Sequence, residues 1–487
     1  MLDNTLDVAV VGGGLAGLTT AYFLQQQARA AGQPLRLVVL EQEARPGGKL
    51  ITDPVDGFVI DGGPDSFRPV PPDAMALSRD LGLADQLISS EDSQNRTYVL
   101  SGGKLHPLPA GLVGIVPTDR GALARSSLLS ALGKLRMARE VSLAPETGAD
   151  DESIAAFVHR RFGQEAVDKL ARPLMAAVFV GDPEWLSMRL LYPDYLDLAR
   201  KHGSLIHALQ ARRQPAATGA DQAPGAAEQP AFLAFRNGMH TLIEGLVAQL
   251  EPESLQLDRS VTQISRAAYP DAPYMVRTKE GRGFSARRLV LAVPAPVAAS
   301  VLTDRAADLA AALRQIRYLS SATVALGYRK TEVSHSLDGF GFAAAARESS
   351  PLLTCTWTST KFPAHAPEGH VLLRAIVAGS GGAPALDLLD LELVSLVRAE
   401  LGRILGLNAT PVVERVYRRR LANPQYDAGH LARVARLEAL AATHLPGLYL
   451  TGSAYRGIDI AATVREARQT AEQILVARQA DSPDTST

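Results

Sequence analysis

One cysteine, Cys355, stands in 487 residues. A single thiol excludes an intramolecular disulfide and any cysteine-cluster metal site. It lies in the strand-like run Leu352-Leu353-Thr354-Cys355-Thr356-Trp357 and reads as buried and inert. Charge of neither sign predominates, with 50 Lys and Arg against 51 Asp and Glu. No cation surplus is available to neutralise phosphates, so nucleic acid is not an expected partner. No apolar run reaches bilayer length. Met1-Leu2-Asp3-Asn4 carries neither a basic segment nor a signal-type apolar stretch before the first strand. These absences predict a cytoplasmic protein, or one resting on the inner face of the cell membrane.

What is present is an ordinary globular composition, 46% hydrophobic, in a chain long enough for two or three domains. Its first 49 residues organise the rest. Leu6-Asp7-Val8-Ala9-Val10-Val11 reads as a buried strand. Gly12, Gly14 and Gly17 follow as G-x-G-x-x-G, then a helix from Leu15 to about Ala30, and a strand over Leu35–Leu40 that ends on Glu41. Gly12 permits the tight turn, Gly14 lets a pyrophosphate approach the backbone, and Gly17 lets helix and strand pack closely. The helix start at Leu15 and Ala16 offers N–H groups and partial positive charge to phosphate. Glu41 stands where a carboxylate accepts ribose hydroxyls, and it would repel the 2′-phosphate of NADP. Together these form a βαβ dinucleotide fingerprint. The bland alternative is a glycine-rich turn that binds nothing.

The residues after Glu41 and Gln42 narrow the dinucleotide. Arg45, Gly47, Gly48 and Lys49 complete a stretch that resembles E-x-x-x-R-x-G-G-[RK] of the flavin-containing amine oxidase and protoporphyrinogen oxidase superfamily. Farther on, Gly57 to Phe67 spells G-x-x-x-D-x-G-P-D-S-F, which resembles the bacterial porphyrinogen oxidases. That resemblance implies that Gly62, Gly63, Pro64 and Asp65 lie near a flavin ring. Further similar stretches are Asn95 to Pro109, Pro173 to Ser187, Phe235 to Leu242, and Leu448 to Ile458. The resemblance also implies contacts to FAD from Val261, through its backbone, and from Gly452 and Ile460 at the last strand and helix.

The implied fold is α/β. A Rossmann-type FAD-binding domain would comprise 1–70, 232–300 and 440–480, and an α+β substrate domain 71–110 and 301–439. A helical, membrane-associating subdomain would cover 111–210, with a flexible linker at 211–231 and a disordered tail at 481–487. Within the helical part, an apolar loop at 112–116 precedes one expected helix. It carries Leu123, Leu128, Leu129, Leu132 and Leu135 beside Arg120, Arg125, Lys134, Arg136 and Arg139. Leucines with interspersed cations suit an anionic lipid surface, and they equally suit a helix packed into a core.

The implied activity is FAD-dependent oxidation of a porphyrinogen in heme biosynthesis, with oxygen as acceptor and hydrogen peroxide released. A heme-pathway enzyme is an implied partner. Arg68 and Arg96 are candidate partners for substrate carboxylates, and Phe340, Gly341 and Phe342 for a pyrrole face. His106, before a proline, reads as structural. No residue stands out as a catalytic base. Coproporphyrinogen oxidases of Gram-positive bacteria tend to have a lysine just beyond the Arg68 position and a tyrosine where this chain has Ile376. Here Pro71 and Pro72 occupy the lysine's neighbourhood. Both departures favour protoporphyrinogen IX as substrate, with coproporphyrinogen III as the alternative. An amine oxidase, a carotenoid desaturase or a flavin-binding protein without turnover remain further readings.

Overall fold

The structure, a computed structural model, describes residues 5–481 apart from 147, 149, 214–229, 267–272, 303–305, 347 and 380–383. Most of the expected linker and the tail beyond 481 lie outside the described residues.

The first sheet grows from the buried strand Leu6–Val11. It pairs in parallel with Leu37–Leu40 on one side and Gly283–Leu291 on the other, with Val10 opposite both Val39 and Val290. Leu255–Gln256 and Leu448–Leu450 extend the parallel part outward. An antiparallel ribbon, Val261–Arg266 with Tyr274–Thr278, hangs on the front of Gly283–Leu291. Buried on both faces, the central strands have no reason to alternate polar and apolar side chains, and Val8 to Val11 do not. Leu15–Ala30 and the last helix, Ile460–Asp481, cover one face. Helices Ala307–Arg314 and His430–His444 cover the other, through Leu309, Leu313, Val434 and Leu437.

The second sheet runs in the order Val413–Pro424, Tyr318–Arg329, His370–Gly379, Leu352–Trp357, Gly341–Ala344, Thr97–Ser101, Lys104–Pro107. All neighbours are antiparallel except Gly341–Ala344 with Thr97–Ser101. Helix Asp390–Leu405 seals its outer face with Leu393, Val394, Val397 and Leu401. A third core gathers the helices between Arg120 and Arg213.

Three segments pack differently from their expected places. Ala74, Leu77, Leu81 and Leu83 enter the core of the first sheet, and strand Leu87–Ser89 pairs with Leu233–Phe235 beside it. The helices 307–314 and 430–444 likewise follow their apolar faces to the first sheet. The stretch 112–117 is a short hairpin rather than a loop. The expected single leucine helix is two helices, Arg120–Arg125 and Ala131–Ala138. The break is chemical: Ser130 accepts the Gly133 N–H at 3.0 Å and caps a new helix. Leu123, Leu128 and Leu129 are buried, while Leu132 is 79% and Leu135 56% exposed. No helix among the described residues is long and apolar enough to cross a membrane.

Candidate active site

The glycines act as their positions require. Gly12 has φ +107°, and a Cβ there would sit 2.6 Å from the Ala292 carbonyl oxygen. A Cβ on Gly17 would sit 1.9 Å from the Gly12 oxygen, so helix and strand pack backbone to backbone. Gly14 differs: an added Cβ would meet only Gly48 Cα, at 4.0 Å. Space is left open between Gly14 and the Gly47-Gly48 turn, which bridges back to it. No side chain caps the helix that starts at Leu15, so its first N–H groups, including those of Leu15, Ala16 and Gly17, remain for a ligand.

Cations converge on the same space. Arg45 donates to the Pro46 and Gly48 carbonyls at 3.3 and 3.2 Å. Lys49 donates to Ser453 Oγ at 3.2 Å, beside Gly452, whose φ is +113°. Arg419 reaches the Lys49 carbonyl at 3.4 Å, and its buried Nε has no partner. Burial, and then Arg419, lower the Lys49 ammonium to about 8. Burial, and then Arg45, lower the Arg419 guanidinium from its ordinary range. Among the described residues no carboxylate pairs with Arg45, Lys49 or Arg419. Such a set is complete only with an anion.

At the ribose end, Glu41 accepts the Gly13 N–H at 2.7 Å and the Glu43 N–H at 2.9 Å. Gln42 beside it is exposed. The Arg259 N–H donates to the Glu41 carbonyl at 2.7 Å, which brings Val261 to this edge. Ile460 is buried and begins the last helix, where the Ala462 N–H donates to Asp459 Oδ1 at 2.7 Å. The open space, the orphaned Arg419 Nε and the free helix start fit a dinucleotide pyrophosphate. Glu41 fits its ribose.

The turn Gly62-Gly63-Pro64-Asp65 is gripped from behind. A Cβ on Gly62 would strike the Tyr417 ring at 2.5 Å, and one on Gly63 the Lys49 oxygen at 1.9 Å. Asp65 turns its carboxylate into the protein rather than outward. It accepts from Arg374 Nη1 at 2.8 Å and Lys361 Nζ at 3.4 Å, and Arg374 also reaches the Gly63 carbonyl. Lys361 donates to Ser66 Oγ at 2.7 Å and lies 4.0 Å from the centroid of the Phe232 ring. Burial alone would raise the Asp65 carboxyl. Lys361 and Arg374 reverse this and hold it well below the usual range. Burial raises neighbouring Asp61 to about 7, although Thr52 and the Met239 N–H donate to it.

Of the expected aromatic wall, Phe340 is buried, 9% exposed, beside Phe232. Its ring meets Phe232 edge-on, with centroids 6.2 Å apart. Phe342 is 2% exposed within the core under helix 390–405, so it does not line the site. Gly341 causes the divergence: its φ of +131° breaks strand alternation, and its missing Cβ leaves room for the Cys355 carbonyl. Arg96 is spoken for by Asp338 at 3.0 Å. Arg68 is exposed and makes no ion pair or side-chain hydrogen bond among the described residues. It lies near Tyr192 and Tyr195, opposing the rise that burial gives their hydroxyls. His106 bonds Ser127 Oγ at 3.2 Å at the surface. Burial pushes the Cys355 thiol up to about 12, which keeps it inert.

The profile of the flavin-containing amine oxidoreductases matches residues 15–475. The chain is 32% identical to coproporphyrinogen III oxidase of Bacillus subtilis (strain 168) over 460 residues, which is 94% of this chain and 96% of the relative. The chain belongs to the flavin-containing amine oxidoreductases, in their porphyrinogen oxidase branch. Its cofactor is FAD. It is also 29% identical to chloroplastic protoporphyrinogen oxidase 1 of Arabidopsis thaliana, over 96% of this chain and 88% of that one. A solved structure from Exiguobacterium sp. 255-15, assigned as a protoporphyrinogen oxidase, superposes with a TM-score of 0.84 at 28% identity, covering 97% and 99% of the two chains.

For a porphyrinogen oxidase, the residues invisible to sequence reasoning are Lys361, Arg374, Arg419, Tyr417 and Ser453. A faint signal existed for one of them: Arg374 is a cation in the otherwise apolar, strand-like run Leu372-Leu373-Arg374-Ala375-Ile376-Val377. Among the described residues no cluster of metal ligands occurs.

Proposed function

We propose that this enzyme oxidises coproporphyrinogen III to coproporphyrin III. The similarity along almost the whole chain to a coproporphyrinogen III oxidase carries this reading. The substrate has four propionates, and Arg68 is a cation kept out of ion pairs at the seam between the ring-facing turn and the helical region. When bound, FAD accepts hydride and passes electrons to oxygen. The protein's part is placement. Gly12 to Gly17, Arg45, Lys49 and Arg419 hold the dinucleotide, and Glu41 its ribose. Phe340 and Phe232 offer aromatic edges to the macrocycle. Arg68 takes a propionate, bidentately where the planes match. No side chain is assigned as a base, and pyrrole protons pass to solvent.

Protoporphyrinogen IX is the second reading. Two observations favour it: Pro71 and Pro72 stand where a lysine is usual in the coproporphyrinogen branch, and Ile376 stands in place of a tyrosine. Leu132, Leu135, Val178 and Trp185 are exposed large apolar side chains of the helical region, and they support peripheral contact with an anionic membrane. The test is a paired assay in air, with each porphyrinogen given separately to flavin-loaded enzyme and porphyrin fluorescence followed. Faster turnover of coproporphyrinogen III supports the proposal. Preference for protoporphyrinogen IX overturns it in favour of the second reading. Absence of fluorescence from both sinks the porphyrinogen reading altogether.

A further inference from the structure

Three buried charges lie directly behind the Gly62–Asp65 turn, and they do not cancel. Asp65 supplies one negative charge, and Lys361 and Arg374 supply two positive ones. Lys361 is 8% and Arg374 9% exposed, so water screens neither well. Arg374 Nε is buried without a partner among the described residues. The other titratable groups facing the set are Asp61, His365 and the Cys355 thiol, and burial lowers the Lys361 ammonium while Asp65 opposes that fall. Burial lowers the His365 imidazole from its ordinary value, and it raises Asp61 so that its carboxyl is protonated below about pH 7. A stability device would not need the second cation, because one lysine or one arginine already balances Asp65.

We infer that Lys361 and Arg374, pinned by Asp65, are positioning residues that hold a net positive charge against the flavin-facing turn and so favour the reduced, anionic flavin over the oxidised one. The inference rests on the reading that Gly62 to Asp65 faces the flavin ring. Charge beside a flavin ring tunes its electronics, and an uncompensated buried cation acts over several ångströms in a low-dielectric site. The same set fixes the turn mechanically, through Arg374 on the Gly63 carbonyl and Lys361 on Ser66.

The test is the flavin midpoint potential by dye equilibration at pH 6, on purified holoenzyme without any porphyrinogen. Lys361→Met removes one charge at nearly constant length. The ratio of reduced to oxidised flavin at a given potential is expected to fall about tenfold, which is about 30 mV for a two-electron couple. Flavin content stays near wild type, and kcat falls with KM unchanged. Lys361→Arg keeps the charge and the potential. The double variant Lys361→Met with Asp65→Asn restores a net single positive charge, and its potential is expected to return toward wild type. If Lys361→Met does not fold, Lys361→Gln takes its place. An unchanged potential in the neutral variant with full flavin content overturns the inference, as does a double variant no closer to wild type than the single one. Failure of the substrate reading would leave these potentials untouched, so the two are separable.

Discussion

Two buried ionic clusters in this molecule have opposite construction. In the helical region Glu140 and Arg161 are each 0% exposed and paired at 2.7 Å. Glu140 also accepts the Ser204 hydroxyl at 2.8 Å and the Leu205 and Ile206 N–H groups at 2.7 and 3.1 Å. Arg161 spends its remaining donors on Glu146 and the Gly203 carbonyl. Every arm has a partner, and the pair staples a helix start to the helix 154–162. Behind the Gly62–Asp65 turn, Asp65, Lys361 and Arg374 leave one cation in excess and, among the described residues, one guanidinium nitrogen orphaned. A complete network is a structural joint. An incomplete one leaves charge uncompensated, and on the inference drawn above that charge acts on the flavin.

The contrast predicts its largest effect where the joint is broken. Arg161→Met leaves the buried Glu140 without its cation, with only the Ser204, Leu205 and Ile206 donors, and costs about 3–5 kcal/mol. Thermal unfolding of the helical region would fall accordingly, while flavin potential per folded molecule stays put. A shifted potential in this variant would erase the distinction between the clusters.

Next comes Asp61, beside the incomplete cluster. Its folded carboxyl titrates near 7, above the 3.8 of the unfolded chain. Stability from this group is therefore full below about pH 4 and is lost as pH rises toward 7, because only the unfolded chain ionises freely. The loss is on the order of 4 kcal/mol. Asp61→Asn keeps the acceptor for Thr52 and Met239 and cannot ionise, so its unfolding curves should lack that slope between pH 4 and 7. An identical slope in the variant would show that the carboxyl is not buried as described.

How much of this was legible in the chain depends on what each residue needed. Gly12 and Gly17 were readable because only glycine tolerates their φ angle or the 1.9 Å approach. Glu41 was readable because it ends a strand at a fixed distance along a short unit. The incomplete cluster was not: Asp65 meets Lys361 and Arg374 across 296 and 309 residues, and only the order of the second sheet brings them together. Phe342 departs from the expected pyrrole face because Gly341, at φ +131°, turns it into the core under helix 390–405. The leucine helix was misread because Ser130 was counted as a helical residue, although serine before a helical run is a cap signal. Local backbone chemistry travels well from sequence. Long-range charge pairing does not.

Outside the buried clusters, the comparison extends to two arginines near the substrate side. Arg68 makes no ion pair among the described residues, so on the proposed reading Arg68→Met should raise KM for coproporphyrinogen III about tenfold, or roughly 1.4 kcal/mol, with kcat and melting temperature near wild type. An unchanged KM would remove Arg68 from the site.

The smallest effect belongs to Arg96. Its pair with Asp338 is 67% and 38% exposed, and Tyr98 also donates to Asp338 at 3.0 Å, so the carboxylate keeps a partner when the arginine is lost. A solvated pair of this kind contributes less than about 1 kcal/mol. Arg96→Met should therefore leave stability, potential and KM close to wild type in parallel assays. A tenfold rise in KM would mean that Arg96 leaves Asp338 to take a propionate. In that case an ion pair seen without substrate is no sign that a cation is committed to structure, and the test applied to Arg161 and Lys361 would have to rest on burial as well as on pairing.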